Sequence, residues 1–149
     1  MKSALRRRIS PSVPFTLTFK DETGDVSQSY RLAYNFVSMS LIEERLSTPG
    51  HPVSMLTDAG EVFDMFTVKA TAVVLWAALQ EYQPEYEGQD GLEVVAQNLT
   101  VATAMGARNA CFEAYISQLP EDQQEKVRKA REAGPTTEAP LVQSQPPTE

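Results

Sequence analysis

The chain predicts an α+β fold, in which an N-terminal β-hairpin packs on a mainly α-helical domain of four to five helices. Three observations predict it. Val13, Phe15, Leu17 and Phe19 are apolar at every second position, and after a turn cluster Val26, Tyr30, Leu32 and Tyr34 supply a second alternation; this is the period of half-buried strands. From Asn35 the apolar spacing lengthens to three and four residues, the period of a helix. The run ATAVVLWAAL, Ala70 to Leu79, is too apolar to face water and well short of the about 18 residues that span a bilayer, so it reads as a core helix.

The elements follow in order. Lys20 to Asp25 is a turn cluster, which predicts a hairpin loop longer than the tight two-residue type. Two strands alone are marginal in water, so their apolar face must rest on helices. Asn35 suits an N-cap, because its side chain can accept from free backbone N–H groups. Phe36, Met39, Ile42 and Leu46 then recur at helical spacing, with Glu43, Glu44 and Arg45 mostly on the other side. Ser47-Thr48-Pro49-Gly50-His51-Pro52 stops that helix. Asp58 with Glu61 opens a short helix carrying Val62, Met65 and Phe66; its junction with the apolar run stays open.

Pro84 and the acidic stretch to Gly91 end the apolar helix. Asp90 and Glu93 form a capping-box-like pair before Leu92, Val95, Leu99 and Ala102, with a possible kink within Thr100 to Ala107. Cys111 or Phe112, Tyr115 and Leu119 continue the stripe. Pro120 suits the first position of a last helix, where Glu125 and Lys129 have favourable spacing. The expected organisation is a flexible basic arm over 1–12, one domain over 13–133 and a disordered Pro-rich tail over 134–149. There is no internal repeat.

Composition narrows the function classes. A chain of 149 residues with 42% hydrophobic content can bury a core. The single cysteine, Cys111, leaves no internal disulfide and no Cys-based metal cluster, which fits a reducing compartment. No secretory pattern follows the basic start, and the expectation is a soluble cytoplasmic protein without a membrane span. Charge is uneven: Lys2, Arg6, Arg7, Arg8 and Lys20 stand in the first twenty residues without an acid, whereas Asp21 to Glu125 has a net charge of −13. Such a body repels phosphate backbones, so no nucleic acid is expected on the acidic core. The Arg6–Arg8 cluster reads as a solvated arm.

Catalytic patterns are missing. His51, the only histidine, lies between Gly50 and Pro52 in a loop with no cysteine partner nearby. Glu43 and Glu44 are adjacent on a helix and diverge, which suits a solvated face better than a carboxylate pair across a cleft. Asp21, Glu22 and Asp25 offer oxygen donors but not the ligand series of an EF-hand, and turns use the same residues. Neither a P-loop, a dinucleotide fingerprint nor a nucleophile elbow is present. Asn98-Leu99-Thr100 matches a glycosylation sequon by chance. No enzyme activity, cofactor or metal is expected.

What remains is Trp76, Leu79, Tyr82 and Tyr86, clustered where the apolar helix meets the acidic loop. They are either core packing or one wall of a groove, rimmed by acids, for the apolar face of a partner helix.

Several segments together resemble a known family. A strand ending YRLAYNF leads to a helix ending LIEERL, then VVLWAAL, the pair Gln83-Pro84 and GLEVVAQNL. This order is similar to that of the tail assembly chaperones of long-tailed bacteriophages and phage-like gene transfer agents. Glu43-Glu44, Leu75 to Leu79, Pro84 and Gly91 to Val95 take the positions of the family's short motifs, and the likeness runs from about Phe15 to Leu119. The Thr48–Phe66 insertion and the basic arm depart from the pattern. The resemblance implies a non-catalytic factor that binds and solubilises the tape measure protein and promotes tail tube assembly. It also implies tail tube protein as a further partner, self-association, action in the host cytoplasm and absence from the mature virion. The alternative is a structural phage tail or head-tail connector or completion protein.

Overall fold

The computed structural model describes residues 9–131, with the side chains of Phe19 and Lys20 outside that description. The expected Arg6–Arg8 cluster and the 134–149 tail lie beyond the described residues. The chain divides into two units, Met1–Gln118 and Leu119–Glu149.

The first unit is the α+β fold that the alternation and helical spacing predict. Strands β1 (Val13–Asp21) and β2 (Gly24–Leu32) are followed by α1 (Phe36–Leu46), α2 (Ala59–Asp64), α3 (Val68–Leu79), a short 3-10 turn (Pro84–Tyr86), α4 (Gly88–Asn98) and α5 (Val101–Ile116). The hairpin register pairs Val13 with Leu32, Phe15 with Tyr30 and Leu17 with Gln28, which puts the apolar positions on one face. On the other face the hydroxyls of Thr18 and Ser27 are 2.9 Å apart and those of Thr16 and Ser29 3.3 Å.

The turn differs from expectation. Asp21 pairs with Gly24, so only Glu22 and Thr23 form the loop. Asp21 makes this tight turn workable: its carboxylate accepts from both the N–H and the hydroxyl of Thr23 at 2.7 Å. Gly24 has φ 123, a value open to glycine but costly with a side chain.

Asn35 caps α1 as expected, in a reciprocal box with Ser38. Asp58 does not cap α2 through its side chain; its carboxylate accepts the Ser54 N–H at 3.0 Å. The Asp90–Glu93 pair does not open α4 either, because the helix already begins at Gly88. Thr67 caps α3, separating it from α2. The expected kink is a full break: α4 ends at Asn98 and Thr100 caps α5, with Thr103 completing the box.

Helix α3 forms the centre. Every residue from Ala70 to Leu79 is buried. The insertion supplies part of its cover: Met55, Val62 and Phe63 are buried, and the Phe63 ring sits 6.1 Å from Tyr34 and 5.5 Å from both Phe112 and Tyr115. Tyr34, fully buried, donates to the Val74 carbonyl at 2.7 Å. Burial pushes its phenol well above the ordinary range and pushes the neighbouring Cys111 thiol up to about 12.

In the second unit, residues 121–131 form a largely exposed helix. Its first turn is marked by the Gln124 N–H donating to the Pro120 carbonyl at 2.9 Å.

Candidate functional site

The two ends of α3 are built differently, and the expected site lies at the closed end. A helix leaves its last four carbonyls without intrahelical partners. Here each is taken. Gln80 Nε2 donates to Trp76 O at 2.9 Å and the Gln80 N–H to Ala77 O at 3.3 Å. Ala33, at the exit of the hairpin, donates to Ala78 O at 3.0 Å, and Gln83 reaches Leu79 O through its backbone at 2.8 Å and its side chain at 2.9 Å.

Trp76 locks this end. Its indole N–H donates to the Tyr86 carbonyl at 2.8 Å, and the Arg45 guanidinium lies 5.1 Å from its ring centre. The Tyr86 carbonyl rests directly on Gly91, where a Cβ would overlap backbone atoms of Tyr86. Glycine is therefore required for close approach, not for φ.

Trp76 and Leu79 are only 1% and 3% exposed, so they belong to the core and offer no wall to a partner. The physical reason is cover from α1, β2, the 3-10 turn and α4, all of which pack against α3. Tyr82 and Tyr86 are half-buried and carry polar tasks. Tyr82 donates to the Ser10 carbonyl at 2.8 Å, and the Tyr86 hydroxyl lies 3.3 Å from that of Tyr30. The four residues thus share a joint rather than a contact surface.

Of the residues in the resembling motifs, Trp76, Leu79 and Gly91 belong to this joint. Glu43, expected on a solvated face, accepts the Met55 N–H at 2.8 Å and so ties the insertion to α1; Glu44 is exposed. Glu81 accepts from Ser10 N and from Asn35 Nδ2, both at 2.9 Å. Residues 10–12, expected within the mobile arm, are held here, since Arg31 Nε also donates to Ser12 Oγ at 2.8 Å.

The opposite end of α3 is open. Between its first turns and the α4–α5 corner runs a groove of about 430 Å³. Thr71, Ala72, Ala96 and Ala104 are among its small lining residues, and Phe66, Val68, Leu99, Val101 and Met105 bring larger apolar side chains. None of the lining residues is charged. Val68 is 87% exposed and Val101 96%, each at the first position of its helix. Arg108 stacks on the outer wall, its guanidinium 4.7 Å from the Phe66 ring centre while it donates to the Phe63 carbonyl.

Periodicity did not reveal that Trp76 and Leu79 are sealed in the core, because the run from Ala70 to Leu79 is apolar throughout. A usable signal was present: Val68 and Val101 directly follow the N-capping threonines Thr67 and Thr100, where a large apolar residue has no turn before it to pack on.

Chemistry is sparse elsewhere. His51 is exposed in a loop closed by its backbone hydrogen bonds with Thr48 at 2.9 and 3.2 Å. Among the described residues no group of three or more His, Cys, Asp or Glu is placed to hold a metal ion, and no helix is long and apolar enough to cross a membrane. Comparison with protein-family models, with curated proteins and with solved structures returned no match.

Proposed function

We propose that this chain is a tail assembly chaperone of a long-tailed phage or phage-like particle, a non-catalytic factor that covers apolar helices of the tape measure protein and promotes tail tube assembly. The observation that carries this reading is the uncharged apolar groove at the start of α3. Contiguous exposed apolar surface of this kind marks interaction sites on proteins that otherwise hide such groups. A groove with small residues in its lining and larger side chains beside them suits the apolar stripe of one amphipathic helix. The net charge of −7 would keep a loaded complex soluble in the host cytoplasm. Individual contacts would be modest, and many copies along a long client would supply avidity.

The test is co-expression with the large helical product encoded immediately downstream. Native chain should keep that product soluble. Val68→Glu and Val101→Glu place a charge in the groove at positions where an acid favours the helix, so the fold is retained. Folded double variant that still solubilises the product would overturn the groove. Absence of the chain from purified virions by mass spectrometry distinguishes a chaperone from a structural tail component.

A further inference from the structure

The hairpin carries an unfilled strand position. In β2 the backbone of Arg31 points away from β1 and is met by the Gln83 side chain: Arg31 N–H donates to Gln83 Oε1 at 2.8 Å and Gln83 Nε2 donates to Arg31 O at 3.0 Å. A carboxamide here makes the two bonds that a neighbouring strand would make. Outward direction alternates along a strand, so Ser29, Ser27 and Asp25 share the orientation of Arg31. Among the described residues no hydrogen bond reaches the outward N–H of Ser27 or Ser29. The β1 edge is not equivalent. Pro14 is the register partner of Arg31 and so occupies an outward position there without a donor.

Beside the open edge lies a concavity of about 330 Å³ lined by Gln28, Ser29, Tyr30, Gln83, Glu85 and Tyr86. Its one charged lining residue is Glu85, and the turn end of the hairpin carries Asp21, Glu22 and Asp25 against one cation, Lys20, the register partner of Asp25. The only cation on β2, Arg31, is turned to Ser12 and the Tyr82 ring. We propose that the β2 edge from Asp25 to Ser29 accepts an extended basic segment of a partner protein as a third strand, with one of its Lys or Arg side chains in the concavity beside Glu85. Main-chain bonds supply the affinity of such an addition, and the side-chain pocket and edge charge supply selectivity. The site is separate from the groove and does not depend on the chaperone reading.

The test uses the full chain with a synthetic alternating Lys–Val octapeptide and its Glu–Val counterpart, read by residue-resolved amide hydrogen exchange. Binding of the Lys–Val peptide should slow exchange at Ser27 and Ser29 about tenfold or more. Ser29→Pro removes an outward donor without touching the β1–β2 ladder and should abolish this binding; Glu85→Gln should weaken it several-fold. No protection at Ser27 and Ser29 in the native chain would overturn the proposal, as would equal binding of the Glu–Val peptide or undiminished binding by folded Ser29→Pro. Should that variant fail to fold, protection in the native chain and the comparison of the two peptides decide the matter.

Discussion

Helix α3 ends in two contrasting ways. At its C-terminal end every carbonyl is met, Trp76 is sealed under Arg45 and a glycine lets two backbone segments touch. At its N-terminal end a threonine caps the backbone, yet the apolar side chains around it stay open to water. Both ends are rich in apolar residues, so hydrophobicity does not separate them. What separates them is whether a neighbouring backbone needs hydrogen bonds from that surface. Beside Trp76 the hairpin exit and the 3-10 turn must satisfy buried polar groups, and this draws the chain tightly over the helix. At Val68 and Val101 no such demand exists, and the surface stays open to water.

The sharpest way to break this contrast is Gly91→Ala. The added methyl meets the backbone of Tyr86, not a flexible side chain, so α4 and the 3-10 turn must separate. A loss of about 3 kcal/mol is expected in urea unfolding. Loss of less than about 1 kcal/mol would show that the joint is loose.

Trp76→Phe comes next. It keeps most of the ring but removes the donor to Tyr86 O, leaving Gln80 Nε2 at 3.2 Å as the remaining partner of that carbonyl. The expected cost is about 2 kcal/mol, combining a lost buried hydrogen bond with a small void. A cost that Gln80→Ala did not increase would deny that the two donors share one acceptor.

Alkali probes the core between the ends. The Cys111 thiol stays protonated in the folded chain up to about 12, against an ordinary 9.0. Above pH 9 the unfolded chain loses this proton while the folded chain keeps it, so stability falls as pH rises towards 12. The slope is roughly 1.4 kcal/mol per pH unit for this group, and Tyr34 adds to it once the unfolded phenol titrates above 10. Urea unfolding at pH 8, 9.5 and 11 measures it, and Cys111→Ala should flatten the first part of the fall. The same burial means that a thiol reagent should modify Cys111 at the rate of unfolding rather than of diffusion.

The smallest change in stability is expected at the open end. Val68→Glu and Val101→Glu should shift unfolding by no more than about 0.5 kcal/mol, since both side chains already stand in water. Their effect belongs to client solubilisation. A large stability loss at either position would mean that the groove is part of the core after all.

The hairpin, the order of helices and the central role of ATAVVLWAAL were legible because each rests on a period that a short window reveals. So was the Asn35 cap, a matter of one side chain and the backbone three residues ahead. The tight turn, the break at Thr100 and the part that the Thr48–Phe66 insertion plays in the core were not. Each depends on partners distant in the chain or on a competition between side-chain and backbone hydrogen bonds.

The candidate site shows the division most clearly. Local pattern established that the segment around Trp76 is too apolar for water, because side-chain hydrophobicity belongs to the residues themselves. Which end of α3 would be sealed was decided only by tertiary structure. Burial is a property of what arrives from elsewhere, and Ala33, Arg45, Gln83 and Gly91 arrive at the C-terminal end while the first turn keeps its groove.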